Sequence, residues 1–112
     1  MGVQKFVVCG GAGTLDDSIT GEKILLATAA VRDEGTSYHY LPPAREVQIN
    51  PDVHKKMITC LQSENEDYLE IKTWTTDASF RETPDKVEMR RQEGCATVEM
   101  ECAAYYAVSQ FK

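Results

Sequence analysis

Twice in this chain a residue that caps helices is followed by proline and then an acid, as Asn50-Pro51-Asp52 and as Thr83-Pro84-Asp85. Proline's fixed φ and missing N–H suit the first helical position, and an acid in the first turn complements the positive end of the helix dipole. Each triplet therefore predicts a helix start. The first helix runs from about Pro51 to Gln62, with Val53, Met57, Cys60 and Leu61 recurring on one face. The second contains VEMRRQE, is mostly solvated, and is closed by Gly94 in a left-handed conformation.

β-like segments lie around these helices. Lys5 to Val8 reads as a strand, and so does Lys23 to Val31 (KILLATAAV), an apolar run bounded by Gly21 and by the charged turn Arg32-Asp33-Glu34-Gly35. YLEIKTWTTD sets Leu69, Ile71 and Thr73 against Glu70, Lys72 and Trp74, the pattern of a strand with unlike faces, and Cys95 to Met100 makes a short further strand. In TSYHYLPP, Pro42 and Pro43 remove two backbone donors, which makes that segment a loop or an edge. Met100, Ala103, Ala104, Ala107, Val108 and Phe111 then fall on one stripe of an amphipathic helix. Strands interleaved with helices define an α/β fold, a layered mixed sheet flanked by helices. The 112 residues suit one domain, residues 1–112, and the helical pattern is still running at Phe111-Lys112, which carries the expectation of a truncated piece or of a partner that covers the end.

Charge narrows the function classes. Eighteen acidic against twelve basic residues give a net charge of −6, with no Lys/Arg run to track a nucleic-acid backbone. No apolar stretch is long enough to span a bilayer, and the first residues lack the apolar run of a signal peptide, so the expectation is a soluble, cytoplasmic protein without nucleic-acid or membrane partners. Cys9, Cys60, Cys95 and Cys102 are scattered, with no C-x-x-C pair and no histidines at zinc spacing. They read as reduced, buried thiols rather than metal ligands. His39 and His54 read as surface or packing residues, and Trp74 as a core anchor.

Two stretches carry chemistry. VVCGGAGTL, Val7 to Leu15, places Gly10, Gly11 and Gly13 after an apolar segment, where backbone N–H groups can cradle an anion or the chain can simply turn. In TVEMECAAYY, Glu99 and Glu101 flank Met100 where a strand gives way to a helix. In an extended segment the two carboxylates share one side, whereas in a helix they diverge by about 200°. Extended through Glu101, both reach one ligand, and a carboxylate suits a cis-diol such as ribose O2′ and O3′, each charge-assisted bond contributing about 1.5 to 3 kcal/mol. The same acids also fit a helix start that merely opposes the dipole.

The order of these segments resembles the nucleoside phosphorylase family, that is, uridine and purine nucleoside phosphorylases and the related nucleosidases. The resemblance rests on VEMECAA at 98–104, TTDASFRET at 75–83 and AVRDEGTSYHYLPP at 30–43, and it is collinear over nearly all of the chain. Family members are longer, so the chain resembles a central portion of a phosphorylase/hydrolase-like fold. The resemblance implies that Glu99, Met100 and Glu101 contact ribose, with Glu101 the principal hydroxyl acceptor. It also implies that Thr75, Thr76, Ser79 and Phe80 line the base pocket and that Gly10, Gly11 and Gly13 lie beside phosphate. The implied reaction is phosphorolysis of a ribonucleoside N-glycosidic bond, a glycosyl transfer that uses inorganic phosphate as co-substrate, no other cofactor and no metal. A homo-oligomer is expected, because a domain cut from a larger sheet leaves edges and apolar faces to cover.

Several positions depart from the family pattern. Where many phosphorylases have Arg-x-Gly-Thr-x-Gly, this chain has Val8, Gly11 and Ala12 at the Arg, Thr and following positions, which leaves backbone donors alone around the loop. Ser79 replaces the first of two aromatics, and Phe80 reads either as its substitute or as a core residue. A hydrolytic nucleosidase and a non-catalytic nucleoside-binding or assembly domain are therefore the competing functions. A dinucleotide site is disfavoured because Asp16 occupies the place of the third glycine of G-x-G-x-x-G.

Overall fold

A computed structural model describes residues 2, 4–20 and 23–111, which leaves Met1, Val3, Gly21, Glu22 and Lys112 outside the described residues. The boundary role read for Gly21 and the reading of the last residue fall among these. The order is β1 (Gly13–Thr14), β2 (Ile24–Asp33), β3 (Glu46–Gln48), α1 (Pro51–Ser63), β4 (Tyr68–Thr76), α2 (Pro84–Gln92), β5 (Cys95–Glu99) and α3 (Cys102–Gln110), with 3-10 turns at Thr36–His39 and Ser79–Arg81. The strands form one sheet in the order β1-β5-β4-β2-β3. β2, β4 and β5 run parallel, while β1 and β3 lie antiparallel at the two edges. This is the expected layered α/β arrangement.

Both helix starts form where the triplets place them. Asn50 Oδ1 accepts from the backbone N–H of Asp52 at 2.9 Å and of Val53 at 3.2 Å, which satisfies two donors that the first turn leaves unpaired. Thr83 caps α2 by position alone, without a side-chain bond. Gly94 closes α2 at φ 85°, a conformation that an L side chain resists.

Two bulges set which side chains face which layer. Thr28 is an extra residue in the β2–β4 ladder, and its hydroxyl bonds Ile71 O at 3.1 Å. Ala96 is the extra residue in the β4–β5 ladder, so Cys95 and Val98, three apart, both reach the same face. Leu15, Val31, Trp74, Cys95 and Val98 form the core there, with Val87 of α2 packed against it. On the opposite face Ala30, Val47 and Ala103 form a second core with Leu41, Cys102 and Tyr106.

Several expectations change. Lys5 to Val8 is irregular, with Phe6, Val7 and Val8 exposed, since no strand among the described residues lies beside it to complete a ladder. The charged turn begins later than its composition suggests: Arg32 and Asp33 belong to β2, and Arg32 is only 3% exposed. Its guanidinium donates to Ser37 Oγ at 2.8 Å, Pro42 O at 2.8 Å and Leu41 O at 3.3 Å, so the loop supplies the partners that burial demands. The α3 stripe splits: Ala103 and Ala107 are fully buried, whereas Met100, Val108 and Phe111 are exposed. Small alanines let α3 approach the sheet closely, and Tyr106, not Val108, completes the contact by donating its hydroxyl to Ala27 O. Among the cysteines, Cys95 is buried and Cys102 partly so, but Cys9 and Cys60 are exposed. Phe80 is fully exposed, which removes the core reading. α2 is mostly solvated as expected, with Arg90 the exception, buried at 4% exposure with its guanidinium 5.2 Å from the Trp74 ring.

Candidate functional site

The three segments with chemical character meet at one end of the sheet. Because β1 runs antiparallel to β5 with Gly13 opposite Val98, the loop that precedes Gly13 continues toward the C-terminal end of β5. Thr75 of β4 stands opposite Glu99 of β5, and Asp33 of β2 opposite Thr76. Thr75 to Phe80 and Glu99 to Glu101 thus leave neighbouring parallel strands at the same edge. The carboxyl ends of parallel strands are where open α/β sheets place ligands.

β5 ends at Glu99, and α3 begins at Cys102 with Glu101 as its N-cap at φ −134°, ψ −27°. The segment is therefore not extended through Glu101, which the shared-side arrangement of two carboxylates requires. Glu99 turns inward. Its Oε1 accepts from Thr75 Oγ1 at 2.6 Å and Thr73 Oγ1 at 3.3 Å, and its Oε2 accepts from the backbone N–H of Glu101 at 2.8 Å and Cys102 at 2.6 Å. Thr75 Oγ1 in turn accepts from Ala103 N at 3.0 Å. The first N–H groups of α3, which a helix leaves unpaired, are satisfied by strand side chains instead of by its own N-cap. A carboxylate at this end also complements the helix dipole.

Behind Glu99 lies a run of buried hydroxyls. Thr97 Oγ1 donates to Thr73 Oγ1 at 3.0 Å, and Thr73, Thr75 and Thr97 are each no more than 1% exposed. Burial pushes the Cys102 thiol up to about 12, with the Glu99 charge acting in the same direction. Burial likewise raises the Tyr106 phenol, with Cys102 and Glu99 adding to the effect. At neutral pH neither the Cys102 thiol nor the Tyr106 phenol is an anion.

Glu101 and Met100 are exposed. Gly10 and Gly11 are exposed as well, a Cβ at either would meet nothing within 4 Å, and neither adopts a positive φ. Of these three loop glycines, Gly13 is the one with a close neighbour, for a Cβ there would lie 3.0 Å from Val98 Cγ1. Thr75 and Thr76 are buried, and Thr76 Oγ1 accepts from Ala78 N at 3.2 Å. Ser79 and Phe80 are exposed, so the four residues read as a base pocket divide into a buried pair and an open pair. A shallow polar depression lined by Arg32, Asp33, Glu34, Tyr38 and Asp77 adjoins this edge beside β2. In it Glu34 accepts from Ser37 N at 2.8 Å, and Asp77 accepts from Gly35 N at 3.1 Å.

Sequence reasoning missed Thr73, Thr97 and the inward role of Thr75. The available signal was the period-two spacing of Thr73 with Thr75 and of Thr97 with Glu99, which puts polar groups on one face of each strand near its C-terminal end.

A mixed sheet with glycine-loop, threonine and carboxylate segments gathered at its parallel strand ends is the layout of a small-ligand-binding α/β domain. The sequence model of the phosphorylase superfamily matches residues 1–111, and the chain belongs to that family. It is 24% identical over all 112 residues to guanosine phosphorylase of Halorubrum lacusprofundi, of which it covers 46%. Among solved structures, AMP nucleosidase from Bacteroides thetaiotaomicron superposes with a TM-score of 0.78 at 27% identity, over 88% of this chain and 43% of that one. Uridine phosphorylase from Vibrio fischeri superposes with a TM-score of 0.76 at 24% identity, over 90% and 43%. The chain thus spans less than half the length of these relatives. It is a nucleoside phosphorylase- or nucleosidase-like domain. Among the described residues no helix is long and apolar enough to cross a membrane.

Proposed function

We propose that this domain binds a ribonucleoside at the C-terminal ends of β4 and β5 and, in the complete enzyme, serves cleavage of the N-glycosidic bond. The observation that carries this reading is the strand register. Gly13 opposite Val98 and Thr75 opposite Glu99 bring the glycine loop, the Thr75–Phe80 segment and Met100-Glu101 to one edge. Glu101 is the hydroxyl acceptor, since it is exposed and its side chain makes no capping bond. Met100 lies beside the sugar, and Ser79 with Phe80 flanks the base. Glu101 orients the ribose and complements the positive charge that develops at C1′ as the C1′–N bond breaks. The nucleophile forms the new C1′–O bond on the side of the exposed Gly10-Gly11 backbone as the C1′–N bond breaks, and the proton lost by hydrogen phosphate, or by water in hydrolysis, goes to the departing base.

Phosphate is the nucleophile in the leading reading, with inorganic phosphate as co-substrate and no other cofactor. Hydrolysis is the second reading. It is favoured by Val8 and Gly11, which offer neither a guanidinium nor a hydroxyl to a dianion. The exposed Phe80, Val108 and Phe111 support self-association of the domain. The assay is release of free base from guanosine, uridine and AMP by the complete protein, with and without phosphate. Phosphate-dependent release is the expected result. Phosphate-independent release selects hydrolysis, and absence of release from all three in both conditions contradicts the enzymatic reading.

A further inference from the structure

We propose that Glu99 and Thr75 are positioning residues, a clasp that fixes the direction of Glu101 and thereby sets the preference for a sugar bearing both 2′- and 3′-hydroxyls. This inference rests on the ribose reading of Glu101. A carboxylate has about four lone-pair directions, and Glu99 accepts from Thr75 and from the backbone N–H groups of Glu101 and Cys102, while the single Thr73 proton is shared between Glu99 Oε1 and Thr97 O. A ribose hydroxyl that approached Glu99 would have to displace a bond already made inside the protein. Glu101, two residues on, is exposed and has no side-chain capping bond.

The bonds to Glu99 act on the backbone of Glu101 itself. Its N–H is held at 2.8 Å, that of Cys102 at 2.6 Å, and the next, Ala103, is held by Thr75 at 3.0 Å. Three consecutive N–H groups are thus tied to two side chains on adjacent strands. Thr75 joins the two halves of the clasp, because its one hydroxyl donates to Glu99 and accepts from Ala103. It is fully buried, so it cannot touch the nucleoside, and its influence on sugar recognition passes through the turn at Met100-Glu101.

Thr75→Val keeps the shape of the side chain and removes both of these bonds, whereas Thr75→Ser keeps the hydroxyl. The test measures affinity for guanosine and for 2′,3′-dideoxyguanosine by calorimetry in wild type, Glu101→Ala, Thr75→Val and Thr75→Ser. The expected results are a preference for the ribonucleoside in wild type that Glu101→Ala abolishes, Thr75→Val cuts by about tenfold, and Thr75→Ser retains. Loss of overall stability alone would weaken both ligands equally and leave the preference intact. A preference abolished in Glu101→Ala but unchanged in Thr75→Val overturns the clasp and leaves the ribose reading standing. A preference unchanged in Glu101→Ala overturns that reading and the clasp with it. A second measurement needs no ligand: amide hydrogen exchange at Glu101, Cys102 and Ala103 is slowed in wild type, and in Thr75→Val it quickens at Ala103. Unprotected amides at Glu101 and Cys102 in wild type overturn the clasp directly.

Discussion

Asp33 gathers three unlike neighbours on one oxygen. Oδ2 accepts from Trp74 Nε1 at 3.0 Å and Arg90 Nη2 at 3.0 Å, with Lys86 Nζ at 3.7 Å. Burial disfavours the charged carboxylate, but the hydrogen bonds from Arg90 and Trp74 and the charges of Arg90 and Lys86 together outweigh it and hold Asp33 below its ordinary value of 3.8. Because the folded-state value is depressed, the stabilisation is fully present above the unfolded value and is lost as pH falls through the lower folded one. Arg90 depends on this partner, for its side chain is 5% exposed and its Nε has no bonding partner among the described residues. Asp33→Asn therefore destabilises the protein at pH 7 by about 1 to 3 kcal/mol. Urea unfolding of both proteins from pH 7 to 2.5 checks this, and the expected outcome is a gap in midpoint that is constant above about pH 5 and narrows below pH 4. A gap that widened on acidification would contradict the assignment.

Elements whose causes are local could be read from the chain directly. α1 begins at Pro51 because Asn50 and Asp52 flank it, and α2 ends before Gly94 because that residue takes the left-handed conformation. Gly94→Ala meets no steric obstacle yet must still adopt φ 85°, so it costs about 1 kcal/mol. Gly13→Ala, by contrast, sets a new Cβ 3.0 Å from Val98 Cγ1, so any cost there is steric and is set by how far the Val98 side chain gives way. Chemical denaturation of the two variants, with Gly94→Asn restoring part of the loss only at the first site, distinguishes conformational from steric cost. What the chain did not reveal depends on neighbours distant in sequence. β3 exists because residues 46–48 pair with residues 29–31, and the bulges at Thr28 and Ala96 exist only as mismatches between two strands. The inward turn of Glu99 is of the same kind, since it depends on Thr73 and Thr75, more than twenty residues away on β4.

For the whole molecule, the parallel trio β2-β4-β5 makes one edge out of segments that are far apart in the chain. The identity of those segments was legible, through VEMECAA, TTDASFRET and the glycine loop. The resemblance already singled out Glu101 as the principal hydroxyl acceptor, but the inward place of Glu99 was not legible, because it is decided by the end of β5 at Glu99 and the start of α3 at Cys102. Backbone chemical-shift mapping during a guanosine titration reads this edge residue by residue. If all three segments line one nucleoside site, amides at residues 10–13, 75–80 and 100–101 shift together along one saturable curve with a single Kd. Saturable shifts confined instead to the depression of Leu15, Asp16, Arg91 and Gly94 at the opposite end of β5 would contradict it, as would no saturable shift at any of the three segments.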